Sequence, residues 1–196
     1  MKRFLLLFLA TVVTAWSASA QLSVSQLRTE HLTDPVGIGE RRPLLSWEVS
    51  DASRRGVTQS AYEIRVKSGG RTVWRTGKVA SAESAGVFYD GTPLTSDTRY
   101  TWQVRVWDDR GKASAWSRPA FWRTGLFDVG EWQARWIEPA VSDDLAAMFR
   151  RTFRVTKPVA EATVYVTAHG IYEASVNGHR VSDDLLTPGW TAYKKR

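Results

Sequence analysis

Among its 196 residues the chain has no cysteine. No disulfide framework can brace it, so the fold must stand on its hydrophobic core. Histidine is scarce as well. His31, His169 and His179 have no zinc-like spacing and no cysteine partners. His169 precedes Gly170 on a strand pattern and reads as a packed or edge histidine. No serine sits in a G-x-S-x-G elbow, which excludes that route to a nucleophile. Gly37-x-Gly39 lacks the strand-to-helix setting of a phosphate loop. Helical periodicity is absent throughout, and beyond the first twenty residues no apolar run is long enough to span a bilayer.

Those first twenty residues are distinctive. Lys2-Arg3 is a basic start, Phe4 to Ala15 is almost wholly apolar, and Ala18-Ser19-Ala20 is an A-x-A cleavage site before Gln21. The pattern is that of a secretory signal peptide, so the expected localisation is export, to the periplasm or beyond. The 27 basic residues outnumber the 20 acidic ones, and setting Lys2 and Arg3 aside leaves 25 against 20, a net charge of +5. Arg and Lys are scattered through strands and turns, and export removes nucleic acid from reach, so solvated strand faces explain the excess better. Ten tryptophans are present, nine of them after the first twenty residues. Indole faces can stack on sugars, but the simpler expectation is that most of the nine fill the core.

The clearest structural signal is Tyr100 to Asp108. Tyr100, Trp102, Val104 and Val106 alternate with Thr101, Gln103 and Arg105, as in a strand with one side in a core and one in water. Trp107 breaks the polar side and is expected under a loop or a neighbour. Tyr100 follows Leu94 by six residues across Pro93-Leu94-Thr95-Ser96-Asp97, the spacing of a tyrosine corner. Asp108-Asp109-Arg110-Gly111 reads as a hairpin turn. Shorter strand patterns run over Leu22 to Leu32, Leu44 to Val49 with Trp47 facing inward, Ala61 to Lys67, Thr72 to Thr76, Val87 to Tyr89 and Trp116 to Thr124. In the third, Tyr62, Ile64 and Val66 oppose Glu63, Arg65 and Lys67, which are expected on the water side. About seven short strands without helices predict an all-β chain, with a fibronectin type III-like sandwich over residues 21–125.

Residues 126–139, with Trp132 and Trp136 four apart, read as a linker packing back on the sandwich. Residues 140–196 then carry long strand patterns over Met148 to Val155 and Thr163 to Val176, where Gly170 suggests a bulge. Asn177-Gly178 is a type I′ hairpin signal into His179-Arg180-Val181. With only three or four strands before Arg196, this second domain is expected to be incomplete.

Several stretches together resemble one family. Leu27-Arg28-Thr29-Glu30, Asp34-Pro35-Val36-Gly37-Ile38, Arg42-Pro43-Leu44-Leu45-Ser46-Trp47, Trp102 to Asp108 and Trp116-Ser117-Arg118-Pro119 are similar to the amino-terminal module of bacterial α-L-rhamnosidases of glycoside hydrolase family 78. Ile171-Tyr172-Glu173, Val176-Asn177-Gly178 and Pro188 to Tyr193 resemble the start of its second, jelly-roll-like module. The resemblance implies a parent enzyme that removes terminal α-L-rhamnose by inversion. Its carboxylates would lie in an (α/α)6 barrel well downstream. Inversion needs an acid and a base about 6.5–9.5 Å apart, and no pair in this chain can be given those roles.

The resemblance also directs attention to sugar and calcium. Some relatives hold rhamnose with calcium in a jelly roll, and Asp183-Asp184 offers hard oxygen ligands of that kind or else a solvated acidic turn. Asp143-Asp144 is a weaker case. Trp190 is either a stacking platform or a core plug. Tyr172 and Glu173 point to opposite faces of one strand, so at most one meets a ligand. The implied partners are a rhamnose-containing carbohydrate and the downstream catalytic domain. The alternative is a stand-alone secreted adhesion or carbohydrate-binding module. The sandwich is expected to resist proteolysis and the part after Pro139 to yield to it.

Overall fold

Tyr100 to Asp108 lies at the centre of the molecule's larger sheet. The structure is a computed structural model that describes residues 22–52, 54–140 and 146–189, and the chain divides into a unit ending at Trp136 and another from Ile137. The first unit has eight strands: β1 (Ser23–Thr29), β2 (Val36–Ile38), β3 (Leu44–Ser50), β4 (Gln59–Ser68), β5 (Arg71–Arg75), β6 (Val87–Phe88), β7 (Arg99–Asp108) and β8 (Ala120–Thr124). They form a three-stranded sheet ordered β1-β3-β6 and a five-stranded sheet ordered β2-β8-β7-β4-β5. All pairings are antiparallel except β2 with β8. The expected all-β sandwich is what the first unit forms.

Alternation decides the inner faces. Tyr100, Trp102, Val104 and Val106 of β7 are buried, as are Tyr62, Ile64 and Val66 of β4 and Leu45 and Trp47 of β3. Rings link the layers. Tyr100 stacks on Trp122 at 5.3 Å, Tyr89 meets Trp122 edge-on at 5.9 Å, and Trp74 meets Tyr89 at 5.1 Å. Such pairs add about 0.5–1.5 kcal/mol each beyond the area they bury. The tyrosine corner is present: the Thr95 amide donates to the Tyr100 hydroxyl at 2.9 Å, beside buried Leu94.

Tryptophan use departs from the expectation. Trp47, Trp102 and Trp122 are buried and Trp74 packs against the core. Trp107 and Trp116 lie under cations, and Trp132 and Trp136 are exposed. Half of the eight described tryptophans therefore lie outside the core. The physical reason is that β7 and the segment after it carry indoles on both faces of the sheet.

Two stretches pair differently from their pattern. Val36–Ile38, inside what reads as a loop, is a parallel edge strand. The Arg123 amide donates to the Pro35 carbonyl at 2.9 Å and the Gly125 amide to that of Ile38 at 2.8 Å. Gly37 takes φ +85°, and a Cβ on Gly125 would come within 3.1 Å of its carbonyl, so both positions favour glycine. The other stretch, Trp116 to Thr124, is strand only from Ala120. Ahead of it Ser114 and Ser117 donate amides to the Val106 and Val104 carbonyls at 2.7 and 2.8 Å. Their hydroxyls accept the Val106 and Val104 amides at 3.0 and 3.1 Å.

In residues 126–139 the first part is tied down. A short 3-10 turn, η1 (Val129–Glu131), follows Phe127, which packs against the core. Glu131 Oε2 accepts hydrogen bonds from the Ser96 hydroxyl at 2.7 Å and from the Phe127 and Asp128 amides at 2.9 Å.

In the second unit the described residues hold only β9 (Ser175–Val176) and β10 (His179–Arg180), an antiparallel hairpin. Asn177 and Gly178 at its tip both have positive φ, 51° and 82°, as a type I′ turn requires. The long strands expected over Met148 to Val155 and Thr163 to Val176 are otherwise absent, and Gly170 lies in a bend. Among the described residues of this unit no further strand is present to receive them. A two-stranded ladder offers no face on which Met148, Phe153 or Leu185 could be buried, and all three are exposed. Among the described residues no helix is long and apolar enough to cross a membrane.

Candidate interaction surface and sugar-site residues

Because β4 is flanked by β5 and β7, its outward residues sit inside a field of neighbours rather than in water. Glu63 is paired in register with Arg105, and Arg65 with both Gln103 and Arg75. Contrary to the alternation pattern, Glu63 is buried, at 2% exposure. Its Oε1 accepts from Arg75 Nε at 2.6 Å and its Oε2 from Arg105 Nε at 2.7 Å. Burial alone would raise this carboxyl's pKa, but the two guanidiniums outweigh it and hold it below the ordinary carboxylate range.

Aromatic rings carry the cations around it. Arg65 lies over Trp116 at 4.6 Å, Arg105 is 5.0 Å from both Trp116 and Trp107, and Lys78 is 4.8 Å from Trp107. One row away Arg99 lies over Phe121 at 3.6 Å, and Arg123 pairs with Asp97 at 2.7 Å. The exposed side of the five-stranded sheet is thus an interleaved array of guanidiniums and rings. The loop end of the sandwich has a second ion group. Arg54 bridges Asp108 at 2.7 Å and Asp51 at 3.3 Å. Asp108 also accepts the Lys112 and Arg110 amides at 2.7 and 3.0 Å. The Lys112 amide is the largest influence keeping its pKa low.

A general acid needs a carboxyl pushed up toward neutrality. The described carboxyls whose pKa departs from its ordinary value, Glu63, Asp108 and Glu131, are all pushed down. In Glu131 the Ser96 hydroxyl is the leading cause.

The residues marked for sugar or metal lie in the second unit. Tyr172 is half-buried, and its hydroxyl donates to the Val166 carbonyl at 3.4 Å. Its carbonyl accepts the Thr187 hydroxyl at 3.0 Å, and its amide donates to the Thr187 carbonyl at 2.9 Å. Glu173 is exposed, 3.7 Å from Arg180. Asp183 and Asp184 are exposed, and Asp184 accepts the Ser182 hydroxyl at 2.6 Å, as a solvated acidic turn does. Among the described residues no group of three His, Asp or Glu side chains could hold a metal ion. Trp190, Asp143 and Asp144 lie outside the described residues. Sequence reasoning missed the array around Glu63. The available signal was that outward residues of β4 and β7 alternate in antiparallel register, which places Glu63 beside Arg105.

The family model described as "Rha78A-like, N-terminal immunoglobulin domain" matches residues 24–128, the stretch that builds the sandwich. The chain belongs to that family. A second model, the α-L-rhamnosidase N-terminal domain, matches residues 157–196. An α-L-rhamnosidase of Formosa agariphila is 32% identical over 185 residues, covering 86% of this chain and 20% of that protein. The crystal structure of Streptomyces avermitilis α-L-rhamnosidase complexed with L-rhamnose matches at 43% identity with a TM-score of 0.58, over 61% of this chain and 12% of that one. The Aspergillus terreus α-L-rhamnosidase matches at 28% identity with a TM-score of 0.63, over 90% of this chain and 21% of that one. The chain spans about a fifth of the length of the curated relatives it matches. The resemblance to the amino-terminal region of rhamnosidases therefore holds across both units.

Proposed function

We propose that this chain is the non-catalytic amino-terminal portion of an exported α-L-rhamnosidase that releases terminal α-L-rhamnose from glycans or glycosides. The observation that carries this is the order of the two family matches along the chain, in relatives named as α-L-rhamnosidases. The downward-shifted carboxyls fit a segment that leaves the chemistry to residues elsewhere. Its role is to brace the catalytic domain, with the sandwich as a rigid body stiffened by the array around Glu63. Sugar contact through Tyr172 and Trp190 belongs to the same reading, as does export directed by the first twenty residues. Calcium at Asp183 and Asp184 lacks support from the described geometry and is not part of the proposal.

The test starts at the gene. Reading the frame past the codon for Arg196 should reveal several hundred codons with helical periodicity and paired carboxylates. The full product should then hydrolyse a chromogenic α-L-rhamnoside, while residues 22–196 alone should not. A full product without that activity, or activity in residues 22–196 alone, would overturn the proposal.

A further inference from the structure

Cationic side chains gather on the outward face of the five-stranded sheet of the first unit. The outward side of β8, β7, β4 and β5 carries Arg65, Lys67, Arg75, Arg99, Arg105 and Arg123, with Lys78 beside it. They are placed there by pairings of Glu63 with Arg105, Lys67 with Thr101, and Arg99 with Arg123. The carboxylates among them are Glu63, which is shared by Arg75 and Arg105, and Asp97, which is paired with Arg123. With Asp34, which accepts the Phe121 amide at 2.8 Å at the β8 edge, seven cations face three anions, a local excess of four. So strong a local excess of one sign attracts a partner of the other. Neighbouring strands are about 4.8 Å apart and alternate residues about 6.7 Å apart, so the cations form a lattice rather than a point.

We infer that this sheet face binds a carboxylate-bearing polysaccharide. Charge complementarity demands an anion. Arginine dominates over lysine on the face, and a guanidinium fork matches a carboxylate through paired N–H donors. Arg65, Arg99 and Lys78 rest on rings instead of on carboxylates. Held there by the rings, they lose little freedom when an anion arrives. The choice of a polysaccharide over an acidic protein rests on the reading given under Proposed function; the anionic character does not. The array would hold a charged glycan near the parent enzyme without touching the bond to be cut.

The experiment is affinity electrophoresis or calorimetry of the purified chain with polygalacturonate at low salt. Neutral dextran and poly-L-glutamate serve as comparison probes. Polygalacturonate should bind, dextran should not, and binding should weaken as salt screens the charges. The double variant Lys67→Glu/Arg99→Glu, in side chains without carboxylate partners in the array, should lose at least tenfold in affinity while its circular dichroism stays unchanged. The charge-matched Arg150→Glu/Arg151→Glu variant in the second unit should bind within twofold of the parent chain. No binding at low salt, an equal loss in both variants, or poly-L-glutamate binding as tightly as polygalacturonate would each overturn the inference. The readout involves no hydrolysis, so failure here leaves the rhamnosidase reading standing. An inactive full-length product likewise leaves this result intact.

Discussion

Replacing Glu63 with glutamine should cost more stability than any other single change to an outward-facing residue of the five-stranded sheet. The carboxylate is 3% exposed at the side chain and accepts from Arg105 at 2.6 Å and from Arg75 at 2.6 Å. Hydrogen bonds to charged groups contribute about 1.5–3 kcal/mol each. Arg75, at 58% exposure, and Arg105, at 30%, are still wetted by solvent, which moves the Arg75 pair toward the about 0–1 kcal/mol of surface pairs. The expected total is about 2–3 kcal/mol at neutral pH. In a domain of this size each kcal/mol moves Tm by about 4 °C, so the shift should be about 8–12 °C. The sign of the pH dependence follows from the depressed pKa. A carboxyl whose folded value lies below its unfolded value stabilises above the unfolded value, and that contribution is lost as pH falls through the folded value. Thermal melts followed by tryptophan fluorescence should therefore show parent and Glu63→Gln far apart at pH 7 and converging in acid. A gap under about 2 °C at pH 7, on the same scale, or one that persists undiminished at pH 3, would refute the reasoning.

Other outcomes can be read from single contacts. Tyr100→Phe leaves the Thr95 amide without its acceptor at the tyrosine corner. It should cost about 1–3 kcal/mol in denaturant unfolding; an unchanged midpoint would show that the corner contributes nothing. A Cβ on Gly91 would sit 2.5 Å from the Trp74 Cβ and from the Tyr89 hydroxyl. Gly91→Ala should therefore lose about 1–3 kcal/mol by overpacking and alter the near-UV dichroism of those rings, whereas a parent-like spectrum would contradict the packing. Ser117→Ala removes the acceptor of the Val104 amide, and hydrogen exchange should accelerate at that amide while staying slow at Ile64. Limited proteolysis should yield a resistant core ending near Trp136, since the second unit exposes most of its large apolar side chains; one resistant piece extending to Arg196 would count against this.

The inner faces of the sandwich were legible because period-two alternation in β3, β4 and β7 reports the side that packs. The tyrosine corner was legible because Leu94 and Tyr100 sit at a fixed spacing around a turn. What alternation cannot report is how wet the other side is. Glu63, Arg105 and Trp116 look like solvated positions one strand at a time, and only their lateral pairing buries the carboxylate. The parallel strand at Val36 was hidden by Pro35 and Gly37, since its hydrogen bonds come from β8, nearly ninety residues on. In the second unit the hairpin at Asn177-Gly178 was readable because two positive-φ residues decide it locally. The longer strands failed because a strand pattern becomes a strand only where another strand receives it.

Ser114 and Ser117 have a consequence for how the molecule behaves in a crowd. β8 covers β7 only from Arg99 to Trp102, so the upper half of the central strand would otherwise present a row of bare amides and carbonyls to any passing chain. An open edge of that kind recruits strands from other molecules. By bonding Val104 and Val106 through amides and hydroxyls alike, two serines convert that row into a closed seam, and they do so with residues too short and polar to continue a sheet. The strand richest in apolar side chains is thereby made sterile toward copies of itself.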